Sequence, residues 1–260
     1  MITTPARFVT KTLAIAGMEI RKLRHDPTEL LTRAVQPALW LLVFGQVFSH
    51  THIIPTGNLS YMDFLMPGIL AQSVLFVAIF NGISIIWERD LGIVHKFLVS
   101  PTPRTALVLG KSVSAGARAL SQAVLIYLLA FILGVHINLN PSALIGVLLF
   151  VLLGATLFST FSLIIACLVK TRERFMGIGQ VMTMPLFFAS NAIYPTDIMP
   201  GWLKTIAHVN PLTYEVDGLR ALTLVGGQST LGLSTDYAVL FVILLLLIML
   251  GGWIYPRIIS

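Results

Sequence analysis

The tetrapeptide LGKS at 109–112 is the stretch that most suggests chemistry, because Gly-Lys-Ser closes the loop with which many proteins cradle phosphate. That loop needs a second glycine five residues before Gly110, and position 105 is Thr105. The tetrapeptide also opens a long apolar run instead of following a strand, so the pattern gives no nucleotide site. The 6 histidines are scattered, and although His50 and His52 are close, no further ligand gathers near them. Cys167 is the only cysteine, which rules out an intrachain disulfide and leaves no thiolate metal site. No zinc-protease helix motif, catalytic carboxylate pair or nucleophile elbow is present. The expectation is a chain without catalytic, cofactor-binding or metal residues of its own.

The remaining polar residues that could act lie within or beside apolar runs. Lys111, Ser114, Arg118 and Gln122 share one helical face, and Gln72, Asn81, Gln180 and Asn191 interrupt other runs. Charges at membrane depth are costly and face protein, water or headgroups. Two readings stand for the Lys111–Gln122 face: snorkelling at the inner interface, or a polar wall at the mouth of a pathway. Gln72, Asn81, Gln180 and Asn191 either line that pathway or bond between helices.

What must position them is a membrane bundle. The chain is 56% hydrophobic and 11% charged, whereas soluble domains carry about 25% charged residues. A spanning helix needs about 20 apolar residues. Six runs qualify, at 31–48, 64–87, 107–134, 141–168, 175–193 and 236–255. Of the 17 lysines and arginines, only Lys204 and Arg220 fall in the loops 49–63, 135–140 and 194–235. The positive-inside rule therefore places both termini and the loop at 88–106 in the cytoplasm of an inner-membrane protein. The net charge of +6 reflects that topology and not nucleic-acid binding. Asp217 and Arg220 have the spacing of a helical pair on a surface. Gly146, Gly154, Ser159 and Ser162 make a small-residue run suited to close helix contact.

Two segments outside the spans are patterned. Residues 10–25 place Leu13, Ala16, Ile20 and Leu23 on one face, as a helix lying along the inner surface would. Within ERDLGIVHKFLVSPTPR at 88–104, residues 91–98 read as a short helix with Ile93, Val94, Phe97 and Leu98 on one face and His95 and Lys96 on the other. Asp90 is placed to cap it, Pro101 and Pro103 end it, and Glu88 stands at its solvated membrane boundary. Such a helix either rests on headgroups or docks a soluble partner.

FLMPGILAQSVLFVAIFNGISIIWERDLGIVHKFLVSPTPRTALVLGKSV at 64–113 resembles the central signature of the type-2 ABC exporter permeases, in the branch of daunorubicin-type drug permeases and nodulation-factor permeases. NAIYPTDIMPGWLKTIAHVNPLTYEVDGLRAL at 191–222 resembles the same family's loop before its last span. The resemblance implies a single all-α transmembrane domain over 1–260. It would have an N-terminal amphipathic interface segment at 1–30, a six-helix core at 31–255, a coupling segment at 88–104, and outer re-entrant helices between spans five and six. It further implies that the coupling helix seats in a separate ATPase subunit, which binds ATP and Mg, and that two permeases pair. The coupling residues would be Glu88, Arg89, Gly92, Ile93, Val94, Phe97, Leu98, Pro101 and Arg104, with Glu88 at the family's recurrent acid.

The function expected is thus the permease of an ATP-driven exporter of an amphiphilic, lipid-like, glycolipid or drug cargo. Its partners are an ABC ATPase, a second permease copy or homologue, and the bilayer. The alternatives are an ion-gradient transporter, against which no acid falls in the middle of any span, and a membrane scaffold.

Overall fold

A computed structural model describes residues 35–51, 54–57, 59–92, 104–169 and 171–255; the side chains of residues 51 and 104–106 are outside that description. A π-helical stretch, Trp40–Gly45, runs into α1, Gln46–Thr51. The main helices follow as α2, Tyr61–Asn81, α3, Ile83–Asp90, α4, Arg104–Ile132, and α5, Pro141–Leu168. Then come α6, Arg172–Phe188, α7, Gly201–Val209, α8, Pro211–Thr223, and α9, Leu233–Ile254. Among the described residues no strand forms, and one antiparallel bridge pairs Ile137 with Leu224.

Local chemistry sets these boundaries. The Ser60 side chain accepts from the Asp63 N–H at 3.0 Å and starts α2. α2 and α3 run on through Gly82 as one apolar span, Tyr61–Asp90, longer than the run expected at 64–87. Gly82 permits this by close approach, because a Cβ there would meet Ser162 and Phe175. Pro141 opens α5, where its missing N–H costs nothing. Asn210 serves two helices. Its Oδ1 accepts from the Leu212 N–H that begins α8, while Nδ2 donates to the Leu186 and Ala189 carbonyls left over at the end of α6.

Among the described residues four helices are long and apolar enough to cross a membrane: Tyr61–Asp90, Leu107–Ile132, Pro141–Leu168 and Leu233–Ile254. The fifth expected run is shorter as a helix, since α6 has 17 residues and stops at Phe188, just after Pro185. The segment 1–30, residues 31–34 of the first expected run and residues 93–98 of the helix expected at 91–98 lie outside the described residues; residues 35–48 of that run are helical, and Leu91 and Gly92 form a turn instead of the start of the expected helix.

Tyr61–Asp90 is central, with 78% of its most apolar window buried, against 22% for Leu233–Ile254. α2, α4, α5, α8 and α9 pack around a core that includes Leu65, Ile69, Phe150, Phe158 and Leu219. Outward, Val124, Leu128, Phe131, Ile145, Leu149, Phe241, Leu246 and Met249 are exposed. A water-facing surface does not carry such a belt, and a lipid-facing one does.

Gly68 marks the closest backbone approach in this core. A Cβ there would lie 2.8 Å from the Ala192 Cα and collide with the Ala192 carbonyl, which no side-chain rotation relieves. Gly68→Ala should destabilise by about 1–3 kcal/mol through forced backbone movement. Gly177→Ala has nothing within 4 Å and should be neutral or stabilising by up to about 1 kcal/mol. Thermal melting of the two purified variants in detergent checks this, and equal melting temperatures would contradict it.

Candidate functional site

The α3 end of the central span gathers the charges. Glu88, 6% exposed, forms an ion pair with Lys111, 4% exposed. Neither residue sits as the sequence suggested. Glu88 is not at a solvated boundary, because α3 turns it inward against α4. Lys111 does not snorkel, because a carboxylate waits opposite. One helical turn beyond, the Ser114 hydroxyl bonds to the Lys111 carbonyl. Two turns beyond, Arg118 donates to the Asn81 carboxamide oxygen, and Asn81 Nδ2 donates to Ser159 at 3.2 Å. The face read from Lys111 to Arg118 is thus occupied by α2, α3 and α5.

A second cluster lies around it, nearer the surface. Arg89 Nη1 donates to the Val169 carbonyl at 3.2 Å, and Nη2 reaches Asp90 Oδ1 at 3.1 Å. Arg172, at the start of α6, bonds Asp90 Oδ2 at 2.9 Å and stacks over Trp87. These contacts pin the end of α3 to the α5–α6 junction. Gly92 then ends the helix with φ +70, a left-handed conformation that suits glycine, its N–H bonding the Arg89 carbonyl at 2.9 Å. From there the chain enters 93–103. Ile93, Val94, Phe97, Leu98 and Pro101, with the side chain of Arg104, lie outside the described residues.

The glutamines converge elsewhere. Gln72 from α2, Gln122 from α4 and Gln180 from α6 line one cavity of about 490 Å³, together with Gln36, Phe76 and Met176. Gln72 and Gln122 are 2% and 1% exposed, and neither carboxamide has a hydrogen-bond partner among the described residues. A buried amide without a partner costs free energy, so this wall is suited to a polar guest. Asn191 belongs to neither group. It lies at the other end of the bundle, where its carbonyl accepts from Arg220 at 2.8 Å.

Three features were not visible in the sequence. Asp217 and Arg220 are not a surface pair: both are buried, and each bonds other groups. Glu215 on α8, outside the four spans, is fully buried against Gly154, where a Cβ would strike its carboxylate. Burial pushes that carboxyl well above its ordinary value, favouring the neutral acid. Asp63 ties the start of α2 to the α4–α5 loop by accepting from the His136 N–H at 3.0 Å. The glycine at 154 was a legible signal for a tight helix contact. The carboxylate it accommodates was not.

Comparison with known proteins adds the family. The ABC-2 type transporter family profile matches residues 10–224. The chain is 28% identical to a putative transport permease, ycf38, of Cyanophora paradoxa, over 83% of this chain and 74% of that one. It is 24% identical to the daunorubicin resistance ABC transporter permease protein DrrB1 of Streptomyces coeruleorubidus, over 84% and 77%. It is likewise 24% identical to the inner membrane transport permease YadH of Escherichia coli K12, over 82% and 81%.

Removing one partner of a buried ion pair strands the other charge, at about 3–5 kcal/mol. Glu88→Gln and Lys111→Met should therefore each lower the melting temperature in detergent sharply. The double variant, with neither charge, should recover most of the loss. Additive losses would show that the two charges do not depend on each other.

Proposed function

Because the chain belongs to the ABC-2 type transporter family and is a multi-pass membrane permease, we propose that it is the membrane half of an ATP-driven exporter in the inner membrane. Members of this family work with a separate ATPase subunit, and the chain is not itself an enzyme. Two copies, or this chain and a homologue, would pair around one path. ATP and Mg would bind only to the partner. The cargo class favoured is amphiphilic, such as a lipid, glycolipid or drug, because the four spans carry few charges. The name of the Streptomyces relative is consistent with drug cargo.

The observation that carries this reading is the Glu88–Lys111 pair. It joins Glu88, five residues before the segment 93–103, to Lys111, about two turns after it. A force applied to that segment by a docked ATPase would reach α3 and α4 together. Arg89 and the Gly92 turn would aim the segment away from the bundle, and the cytoplasmic assignment of this end rests on its lysines and arginines. The Ile93, Val94, Phe97 and Leu98 face would supply the docking contact, ended by Pro101 before Arg104. Gln72, Gln122 and Gln180 would offer amide contacts to the cargo, with Lys111, Arg118 and Asn81 holding the wall toward the ATPase end. Asn191 would serve the far end of the path.

Inverted membrane vesicles that carry the permease with its ATPase test this. Added ATP should drive uptake of a fluorescent lipid or drug. Burying a side chain the size of Phe97 contributes roughly 1.5–3 kcal/mol, so Phe97→Ala should weaken ATPase association about tenfold to a hundredfold. Lys96→Ala, on the opposite face, should have little effect. If Phe97→Ala leaves both association and uptake unchanged in a normally inserted protein, the segment is only an interfacial helix.

A further inference from the structure

At the end of the bundle remote from Glu88, a second cavity of about 450 Å³ opens between the start of α2, the turn after Asn191 and the loop joining α8 to α9. Arg220 stands in its wall and is 7% exposed. Its guanidinium lies over the Phe64 ring, 3.9 Å from the centroid. Nη2 donates to the Phe64 and Asn191 carbonyls at 3.3 and 2.8 Å, while Nε has no partner among the described residues. No carboxylate among the described residues is within ion-pairing distance of it. Asp217 is near enough for its charge to be felt. Its oxygens, however, accept from the Ser229 and Thr230 hydroxyls and the Leu231 N–H, at 2.9, 2.8 and 3.0 Å. Among the described residues the buried guanidinium thus makes its hydrogen bonds to neutral groups only. Arginine is normally buried against a carboxylate or phosphate that takes two of its N–H groups.

The rest of the wall shows what would complete it. The Asn191 Oδ1 is buried without a partner among the described residues, so an acceptor for a ligand hydroxyl stands beside the donor for an anion. Gln228 and Thr196 line the cavity with further neutral groups. The Gly226–Gly227 turn is pressed onto the end of α8, where a Cβ on Gly227 would meet the Arg220 carbonyl. The exposed Asp197 carboxylate lies at the rim, 3.8 Å from Lys204. With Asp197 and Asp217 close by, a doubly charged phosphate is repelled more than a singly charged diester.

We propose that this cavity binds a phosphodiester bearing hydroxyl groups, the chemistry of a phospholipid headgroup, with Arg220 as its anion-binding residue. The site goes beyond the transport reading and needs no ATPase. Titration of the purified full chain in uncharged detergent tests it with four probes. These are glycerophosphoglycerol, dihexanoyl phosphatidylglycerol, inorganic phosphate and uncharged dihexanoylglycerol. Both diesters should bind, phosphate at least tenfold more weakly, and dihexanoylglycerol not at all. Tighter binding of the form with acyl chains identifies a lipid as the source, and equal binding identifies a soluble diester. Arg220→Gln should lose binding at least tenfold. Should that variant fail to fold, Gln228 is exposed at the rim and can be changed without touching the core. Gln228→Glu should weaken the diesters several-fold and Gln228→Lys should strengthen them. Failure of either diester to bind, tighter binding of phosphate, or affinities unmoved by both Gln228 changes would overturn the proposal.

Discussion

The Glu88–Lys111 ion pair is the constraint on which the architecture at one end of this bundle depends. Neither charge has enough contact with water to stand alone, so each holds the other's helix in place. The pair also has a topological consequence. Glu88 precedes the segment 93–103 and Lys111 follows it, so the pair closes that segment into a loop tied at its base. A free loop between two spans absorbs a push by bending. On the proposed function, a loop closed by a buried ion pair would pass the push to both helices; Arg89, Asp90 and Arg172 extend the base to α6.

The polar residues are sorted by depth. Charges collect at the two ends, around Glu88 and Lys111 at one and around Asp217, Arg220 and Asp236 at the other. Between the ends the α2–α4–α6 cavity presents carboxamides, which interact with polar groups without fixing a charge in a low-dielectric wall. If this cavity belongs to the proposed path, such a lining would suit cargo whose polar part is held weakly enough to move on. Arg220 at the far end has the opposite character: its guanidinium is fixed by two carbonyls and an aromatic face.

Membership of an all-helical membrane class was legible in the sequence because lipid imposes a long apolar run on any segment that crosses it. α5 and α9 were read almost to the residue, since Pro141 marks one start and charges are sparse through both. α6 was read as running on to 193 because hydropathy does not register that Asn210 caps the carbonyls at its end. Of the face read from Lys111, Ser114, Arg118 and Gln122, Lys111 and Arg118 meet α3 and α2 while Gln122 lines the glutamine cavity. What the face meets was not legible, because helical spacing shows which residues share a face and is silent on what packs against it. The same blindness turned Asp217 and Arg220 into a surface pair. Three residues apart they do share a face, but that face is buried and each finds partners far away in sequence.

The transmission role of the Glu88–Lys111 pair is tested most directly by hydrogen–deuterium exchange of the permease with and without its ATPase. The Glu88→Gln/Lys111→Met double variant is the informative comparison, since it removes both charges of the joint together. In the natural protein, ATPase binding should change protection in 88–104 and also along the first turns of α4, residues 107–118. In the double variant the change should stop at 88–104. An undiminished change at 107–118 in the double variant would contradict the claim that this pair carries the motion into the membrane.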